Sequence, residues 1–481
     1  MYYHQYGKIN NADLLPPYRE DRDVRLIPAD PDGILFSPDW VETMSLVEVH
    51  PETATPEGTI EALENILDHY AAMGVNVIWL TPVYQKGPKG NGYTNWGLHT
   101  LEPALTGTED VEEGWRRIRA LIEKAHKKNI RILLDLITWG CEFSAPLIEE
   151  HPEWFSGEAW GGAAFNWNNE EFRSWFIEQA IENILRSGAD GYRCDCEPKY
   201  AGFCVFAEIR NRLLALGKKV AIIAEESSER RGSFDCEQDG VTGWIEWSRG
   251  QQYQHPRAYY LEGTNIVDAV QSGILHGDKL AQQNGTSGRN RYYTYCVSNH
   301  DFKYSRVNMN RLIIGYQAIF APYIPLWYLG AELGMHAEGR VIYFIPTDWS
   351  LLDREENLTF CTDVARYMRI RLQNPDIFCT WAMDHRNANI AKIDAGTSLQ
   401  SYARFAGGRA ILVVPHSDEE TDTFTVCAEL EAIGVSAEGL RVTDLLGGGE
   451  AVPAEIADGK CTFRAQIQRE HIGVYLLECG A

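Results

Sequence analysis

The chain has 481 residues, of which 44% are hydrophobic and 23% are charged, an ordinary composition for a globular protein. Its 44 basic and 68 acidic residues give a formal net charge of −24, which argues against nucleic acid and anionic membranes as partners. The length exceeds that of one ordinary hydrophobic core, so two or three domains are expected.

The N-terminus and the cysteines predict a cytoplasmic protein. Residues 1–5 are polar and precede no apolar core flanked by Lys or Arg, so no secretory signal is predicted. No apolar run approaches the roughly 18 residues of a membrane span. The 11 cysteines are odd in number and scattered, which suits reduced thiols inside a cell. The oligomeric state is left open.

Helices and strands are predicted to alternate after an irregular, proline-rich N-terminal arm or small cap at residues 1–40. Such alternation is typical of parallel βαβ units. The predicted helices are at 59–73, 111–128, 170–187 and 203–216. The predicted strands are at 45–49, 75–80, 130–136, 191–195, 220–225, 244–247, 292–298 and 324–329.

Eight strands are the number that closes a (β/α)8 TIM barrel, here predicted for residues 41–375 with a short loop insertion at about 140–168. A doubly wound open sheet also alternates, but its glycine fingerprint is absent after the first strand. Beyond Asn374-Pro375, short alternating strands indicate a C-terminal antiparallel β-sandwich domain at 376–481. These strands are predicted at 399–405, 410–414, 421–426, 461–465 and 473–478.

Four acidic residues lie at or just after the C-terminal ends of predicted barrel strands, namely Asp135, Asp195, Glu225 and Asp301. Active sites of such barrels lie at the carboxyl ends of the strands. Like charges in one cleft are costly, so their convergence usually marks chemistry or a metal. Two carboxylates about 5 Å apart are the equipment of a retaining glycosidase. Neighbouring carboxylates are expected to raise the pKa of the one that acts as the acid.

The segment Gly191–Asp195 predicts a nucleophile. Arg193 lies two residues before Asp195 and therefore on the same face of the strand, where it would keep that carboxylate ionised. Cys194 and Cys196 flank Asp195, but without a second pair at zinc-ligand spacing we predict no metal and no cofactor. On a regular strand the side chains of Glu225 and Glu226 point to opposite faces, and Glu226 is then the weaker candidate for the catalytic acid. A β-bulge at the end of the fifth strand would reverse this choice.

Several motifs in order make the sequence, from about residue 44 to its end, resemble the alpha-amylase family of glycoside hydrolases (family 13). The motifs are Gly74-Val75-Asn76-Val77-Ile78-Trp79-Leu80-Thr81-Pro82, Gly92-Tyr93, Phe165-Asn166-Trp167-Asn168-Asn169, Gly191-Tyr192-Arg193-Cys194-Asp195, Ile222-Ile223-Ala224-Glu225 and Asn299-His300-Asp301.

The resemblance implies a retaining glycoside hydrolase that acts on α-linked glucosides or oligosaccharides through a covalent glycosyl-enzyme intermediate. It implies that Asp195 is the nucleophile, that Glu225 is the general acid/base and that Asp301 stabilises the transition state. A transglycosylase or phosphorylase would use the same intermediate with another acceptor. A non-catalytic carbohydrate-binding relative is a further alternative.

The resemblance also implies the residues that bind the sugar. Arg193 would orient the nucleophile with support from Asp135, His300 would hydrogen-bond the substrate, and Tyr93 would stack on it. After Asp135 the sequence departs from the family's pattern, because Trp139 and Gly140 replace an Asn that binds calcium in many relatives and a His that contacts the sugar. Trp139 is either a packing residue or a wall of the sugar site.

Overall fold

Eight parallel strands close into a barrel in the computed structural model, as the sequence predicts. The structure describes residues 24–28, 36–88, 90–196, 204–225, 236–242, 267, 292–296, 298–300, 311–321, 323–335, 344–379, 389–397, 399–417 and 419–480. The eighth strand pairs with the first, Leu326 lying opposite Leu46, which completes the ring. The strands are Leu46–Val49, Val77–Leu80, Arg131–Ile137, Gly191–Asp195, Ala221–Ala224, Cys236–Thr242, Tyr292–Cys296 and Ile324–Tyr328.

The sixth strand is the one whose position the sequence does not predict. It occupies Cys236–Thr242, ahead of the predicted segment 244–247, which lies outside the described residues. The other seven strands overlap their predicted ranges, and the fourth has the predicted bounds Gly191–Asp195. Buried apolar runs between turn residues therefore locate most of this barrel from sequence.

Two of the long helices that pack around the barrel, Val111–Lys127 and Glu170–Ser187, begin at side-chain caps. Asp110 accepts from the backbone N–H groups of Glu112 and Glu113, and Asn169 accepts from that of Phe172, so each satisfies donors at a helix start. The α-helices are Pro51–Ala54, Glu64–Met73, Pro103–Thr106, Val111–Lys127, Pro146–Glu150, Glu170–Ser187, Val205–Ala215, Glu355–Gln373 and Pro375–Phe378, with a π-helix at Leu312–Ile319. Short 3-10 helices lie at Asp39–Thr43, Glu61–Leu63, Pro152–Trp154 and Trp349–Asp353.

Part of the predicted N-terminal arm packs against the barrel. Two short strands, Leu26–Pro28 and Phe36–Pro38, pair with each other just before the first 3-10 helix. Trp40 of that helix is buried in one cluster with the inward-facing barrel residues Leu46 and Leu133. Residues 1–23 and 29–35 lie outside the described ranges, so the prediction of an irregular arm or a small cap at residues 1–40 stays a prediction.

A small antiparallel sheet follows the third barrel strand, inside the predicted loop insertion. Its strands are Gly140–Glu142, Gly162–Phe165 and Phe155–Ala159, in that order across the sheet. The sequence did not predict these strands. They are short, and their glycines and alanines carry no alternating hydrophobic pattern.

Two antiparallel sheets follow the barrel and form the predicted sandwich. A buried apolar cluster that includes Leu412, Val426 and Phe463 lies between them. The other face of the larger sheet packs on the barrel, where Arg404 Nη1 donates to the carbonyl of Phe320 over 3.1 Å. The larger sheet contains Ile390–Lys392, Tyr402–Ala406, Arg409–His416, His471–Cys479, Leu440–Asp444 and Glu450–Val452, and the smaller contains Thr423–Glu429, Lys460–Gln466 and Ala454–Ala457.

None of the helices in the described ranges is both long enough and apolar enough to cross a bilayer.

Candidate active site

The fourth barrel strand carries Arg193 and Asp195 on its inward face, as the two-residue period of a strand predicts. Tyr192 and Cys194 alternate with them and pack in the outer cluster beneath the helices. Gly191 begins the strand with φ +151°, and a Cβ there would lie 1.8 Å from the carbonyl oxygen of Ala221. Only glycine permits this close approach of the fourth and fifth strands.

The guanidinium of Arg193 joins three carboxylates inside the barrel. Its Nη1 lies 2.7 Å from Asp195 Oδ1 and 3.2 Å from Asp135 Oδ1, and its Nη2 lies 2.9 Å from Glu225 Oε1. Arg193 is fully buried, and the stacked indole of Trp79 lies 4.6 Å from its Cζ. One delocalised cation therefore holds the side chains of three neighbouring strands in a common geometry.

Asp195 and Glu225 face each other at the strand ends. A carboxylate oxygen of each and the Cys196 sulfur all lie within 4.8 Å of one another. Glu225 Oε2 also accepts from the backbone N–H of Cys196 over 2.7 Å. The two carboxyl groups are therefore close enough to act on the same bond of a substrate.

The protonation of this pair differs from the expectation. Burial raises the pKa of Asp195 to about 7, against the opposing effect of Arg193 and with further increases from Glu225 and Asp135. The prediction that Arg193 keeps Asp195 ionised is therefore wrong, because Arg193 lowers this pKa but burial outweighs it. Burial also acts to raise the pKa of Glu225, but Arg193, the Cys196 N–H and His300 outweigh it, so this pKa is lowered.

The prediction that neighbouring carboxylates raise the pKa of Glu225 is thus wrong as well. The physical reason is that Glu225 has both a guanidinium and an N–H donor at hydrogen-bonding range, which sequence spacing does not reveal. Of the two carboxyl groups, Asp195 therefore binds its proton more tightly, and Glu225 is the more readily ionised.

Asp135 supports the site from the third strand. Its Oδ2 accepts from the Trp79 indole N–H and from the Tyr93 hydroxyl, each over 2.9 Å. Burial, opposed chiefly by Arg193, raises the pKa of Asp135 to about 6. Tyr93 is brought there by Gly92, whose φ of +89° and close approach to the Pro82 carbonyl favour glycine. Around Arg193 the structure therefore brings together four other predicted site residues, namely Tyr93, Asp135, Asp195 and Glu225.

The rings of His300 and Tyr93 lie side by side, and His300 also contacts Glu48, an acidic residue that the sequence does not identify as part of the site. The two rings are stacked with centroids 4.4 Å apart. Glu48 of the first strand is fully buried, and its two carboxylate oxygens contact the Nδ1 atom and the backbone N–H of His300. The available signal was a lone carboxylate at an inward position of the otherwise apolar run Leu46-Val47-Glu48-Val49. The predicted residues Asp301 and Glu226 lie outside the described ranges.

Trp139 is a packing residue in this arrangement. Its side chain is buried in the outer core, and its indole N–H donates to the Tyr93 carbonyl over 3.2 Å. Gly140 is required by the small sheet, because a Cβ there would lie 2.0 Å from the Ala163 carbonyl oxygen. The Trp139 side chain offers no oxygen to a cation, so it does not fit the family's calcium position.

Glu332 and the tryptophans of the small-sheet region have contacts of their own. Glu332, in the loop after the eighth strand, is fully buried and accepts from the Tyr70 hydroxyl over 3.0 Å, which favours a structural role. Trp154 is buried against Trp175 and stacks on His151. Trp160 differs, since it is 73% exposed at the turn of the small sheet.

Among the described residues, the spacing that metal ligands require is found at Asp195, Cys196 and Glu225. Both carboxylates are ion-paired with Arg193, whose positive charge lies where a cation would have to approach. The charges of the site therefore favour the guanidinium over a metal ion.

The fold and the carboxylates at its strand ends define a (β/α)8 barrel protein with a C-terminal antiparallel domain, and known proteins of this class match the chain. A family model described as the alpha-amylase catalytic domain matches residues 29–153. The resemblance to the alpha-amylase family that the sequence predicts is thus confirmed.

Similar proteins include an oligo-1,6-glucosidase of Saccharomyces cerevisiae, 22% identical over 35% of this chain and 37% of that protein. A malto-oligosyltrehalose trehalohydrolase of Saccharolobus solfataricus is 24% identical over 63% of this chain and 59% of that protein. The match therefore spans less than two thirds of either relative.

Solved structures share the fold over nearly the whole chain. A maltogenic alpha-amylase of Thermotoga neapolitana has a TM-score of 0.66 at 18% identity, covering 92% of this chain and 99% of that one. An alpha-amylase of Geobacillus thermoleovorans in complex with acarbose has a TM-score of 0.64 at 16% identity, with coverage of 92% and 99%. These likenesses establish the barrel and the C-terminal domain.

Proposed function

We propose that the chain is a retaining glycoside hydrolase of α-linked glucosides or oligosaccharides. The observation that carries the proposal is the pair Asp195 and Glu225, whose carboxylate oxygens lie within 4.8 Å of each other at the ends of adjacent barrel strands. Two facing carboxylates at this separation suit attack by one and proton donation by the other. The similarity to glycosidases such as the yeast oligo-1,6-glucosidase supports the substrate class.

In the proposed reaction the Asp195 carboxylate attacks the anomeric carbon while Glu225 gives its proton to the glycosidic oxygen that leaves. Glu225 then takes a proton from a water molecule, which attacks the same carbon, releases Asp195 and restores the anomeric configuration. The reactive form of the pair carries one proton, on Glu225. Because Asp195 binds its proton more tightly than Glu225 does, the reaction requires this proton to pass from Asp195 to Glu225.

The surrounding residues have supporting roles in the proposal. Arg193 orients Asp195 and balances charge, with Asp135 as its second anchor. Tyr93 and His300 present a stacked aromatic wall to the sugar. Asp301, the residue after His300 in the sequence, is proposed to bind sugar hydroxyls in the oxocarbenium-like transition state.

The proposal is tested with a panel of α-glucosides and α-linked oligosaccharides of different linkage and length. Products are followed by proton NMR, which reports the anomeric configuration as it forms, and Asp195→Asn is the control. Retention of configuration that depends on Asp195 is the expected result. Inversion, or turnover unaffected by Asp195→Asn, contradicts it.

The same panel decides between hydrolysis and transfer. Added sugar acceptors or phosphate are included in parallel reactions, because a shared glycosyl-enzyme intermediate partitions among acceptors. Water as the dominant acceptor supports the hydrolase. Transfer products that dominate at low acceptor concentration assign the same site to a transglycosylase or a phosphorylase instead.

A further inference from the structure

The first barrel strand, Leu46–Val49, holds a charge in a place where charge is costly. Every residue of the strand is buried, and Glu48 is fully so. Its neighbours across the sheet are Trp79 and Tyr328, neither of which is charged. A carboxylate in such a position is tolerated only when its oxygens are paired, so its partners indicate what it does.

Both carboxylate oxygens of Glu48 contact His300. Oε1 contacts Nδ1 of the His300 ring, and Oε2 accepts from the His300 backbone N–H over 3.2 Å. One contact fixes the rotation of the ring and the other fixes the main chain from which the ring projects. Two contacts from a buried and rigid strand therefore determine the position of the imidazole.

The imidazole in turn connects Glu48 to the candidate catalytic groups. His300 stacks on Tyr93, whose hydroxyl donates to Asp135, and Asp135 is ion-paired with Arg193. Groups that act on the charge of the His300 ring come from several elements of the described ranges. They include Glu48 on the first strand, His50 just after it, Tyr93 in the loop after the second strand, Asp135 on the third strand and Glu225 after the fifth.

We propose that Glu48 is a positioning residue of the sugar site, which holds the His300 ring in place and keeps its imidazole protonated as a hydrogen-bond donor. The inference deepens the proposed glycosidase function and depends on it for its meaning in catalysis. A carboxylate against Nδ1 places a proton on that nitrogen and favours the charged ring.

The test compares Glu48→Gln with a matched control, Glu332→Gln. The control also removes the charge of a fully buried glutamate near a histidine, since Glu332 Oε1 lies 3.5 Å from His69 Nε2. Both variants are checked for folding by circular dichroism. Protonation of His300 is followed by NMR of protein with labelled histidine, using the signal that His300→Gln abolishes. Turnover is measured on the best substrate of the panel.

In Glu48→Gln the His300 signal is expected to lose its proton at lower pH than in the wild type, with kcat/KM about 10- to 100-fold lower. In Glu332→Gln both are expected to stay at wild-type values. Glu48→Asp keeps the charge and is expected to restore the His300 titration, which keeps the test available if the glutamine variant does not fold. An unchanged His300 titration in Glu48→Gln, or equal losses of kcat/KM in Glu48→Gln and Glu332→Gln, overturns the inference. If the wild type turns over nothing, the proposed function fails, and the NMR titration still decides on Glu48.

Discussion

Replacing Asp195 by asparagine is expected to stabilise the protein at alkaline pH. Burial and the neighbouring acids raise the pKa of Asp195 from 3.8 to about 7. The folded state thus binds this proton more tightly than the unfolded chain does. Its contribution to stability is fully present below about pH 4 and is lost as the pH rises through about 7.

The size of the effect follows from the pKa shift. About three pKa units correspond to about 4 kcal/mol, as an upper bound for the cost of the ionised Asp195 side chain. The free energy of unfolding of Asp195→Asn minus that of the wild type is therefore expected to grow by as much as about 4 kcal/mol between pH 4 and pH 8. The comparison across pH cancels whatever asparagine itself gains or loses in packing.

Urea unfolding followed by tryptophan fluorescence at several pH values measures this difference. Asp190→Asn is the control of opposite sign. Burial acts to raise the pKa of Asp190, but the hydrogen bond from His126, with Arg131 and the Ile132 N–H, lowers it overall. Its stabilising contribution is present at high pH and lost on acidification, so Asp190→Asn destabilises most at pH 8. A difference for Asp195→Asn that stays constant or shrinks from pH 4 to pH 8 refutes the reasoning.

Three further predictions concern the same site. The kcat/KM of the wild type is expected to fall above about pH 7, where Asp195 loses the proton that Glu225 needs for the reaction; a plateau to pH 9 contradicts this. Glu225→Gln is expected to lower kcat by about 10²- to 10⁴-fold on unactivated glucosides and far less on an aryl glucoside, and steady-state rates on both substrates check it. Gly191→Ala places a Cβ 1.8 Å from the Ala221 carbonyl, so urea unfolding is expected to show a loss of at least about 1–3 kcal/mol.

The barrel and most of the site are visible in the sequence because the rules that create them are local. Strand alternation places Arg193 and Asp195 on one face, and the structure has them there, bonded over 2.7 Å. The carboxyl ends of the strands converge, so Asp135, Asp195 and Glu225 meet at Arg193. Neither inference needs knowledge of distant contacts.

What the sequence does not reveal depends on contacts between segments far apart in the chain. Glu48 meets His300 across 252 positions, and only the closing of the barrel between its first and eighth strands brings these residues near. The protonation of Glu225 depends on the N–H of Cys196 and the reach of Arg193, which spacing alone cannot supply. The packing role of Trp139 likewise depends on a contact that the sequence does not show. This contact is the hydrogen bond from its indole N–H to the Tyr93 carbonyl.

The most direct test of the proposed mechanism is to trap the glycosyl-enzyme intermediate. The protein is incubated with a fluorinated α-glucosyl fluoride, which forms the covalent intermediate readily and releases it slowly, and the labelled peptide is mapped by mass spectrometry. The mechanism predicts one sugar per chain, ester-linked to Asp195, and no label in Asp195→Asn. A label on another residue, or no label in a protein that binds the sugar by calorimetry, contradicts it.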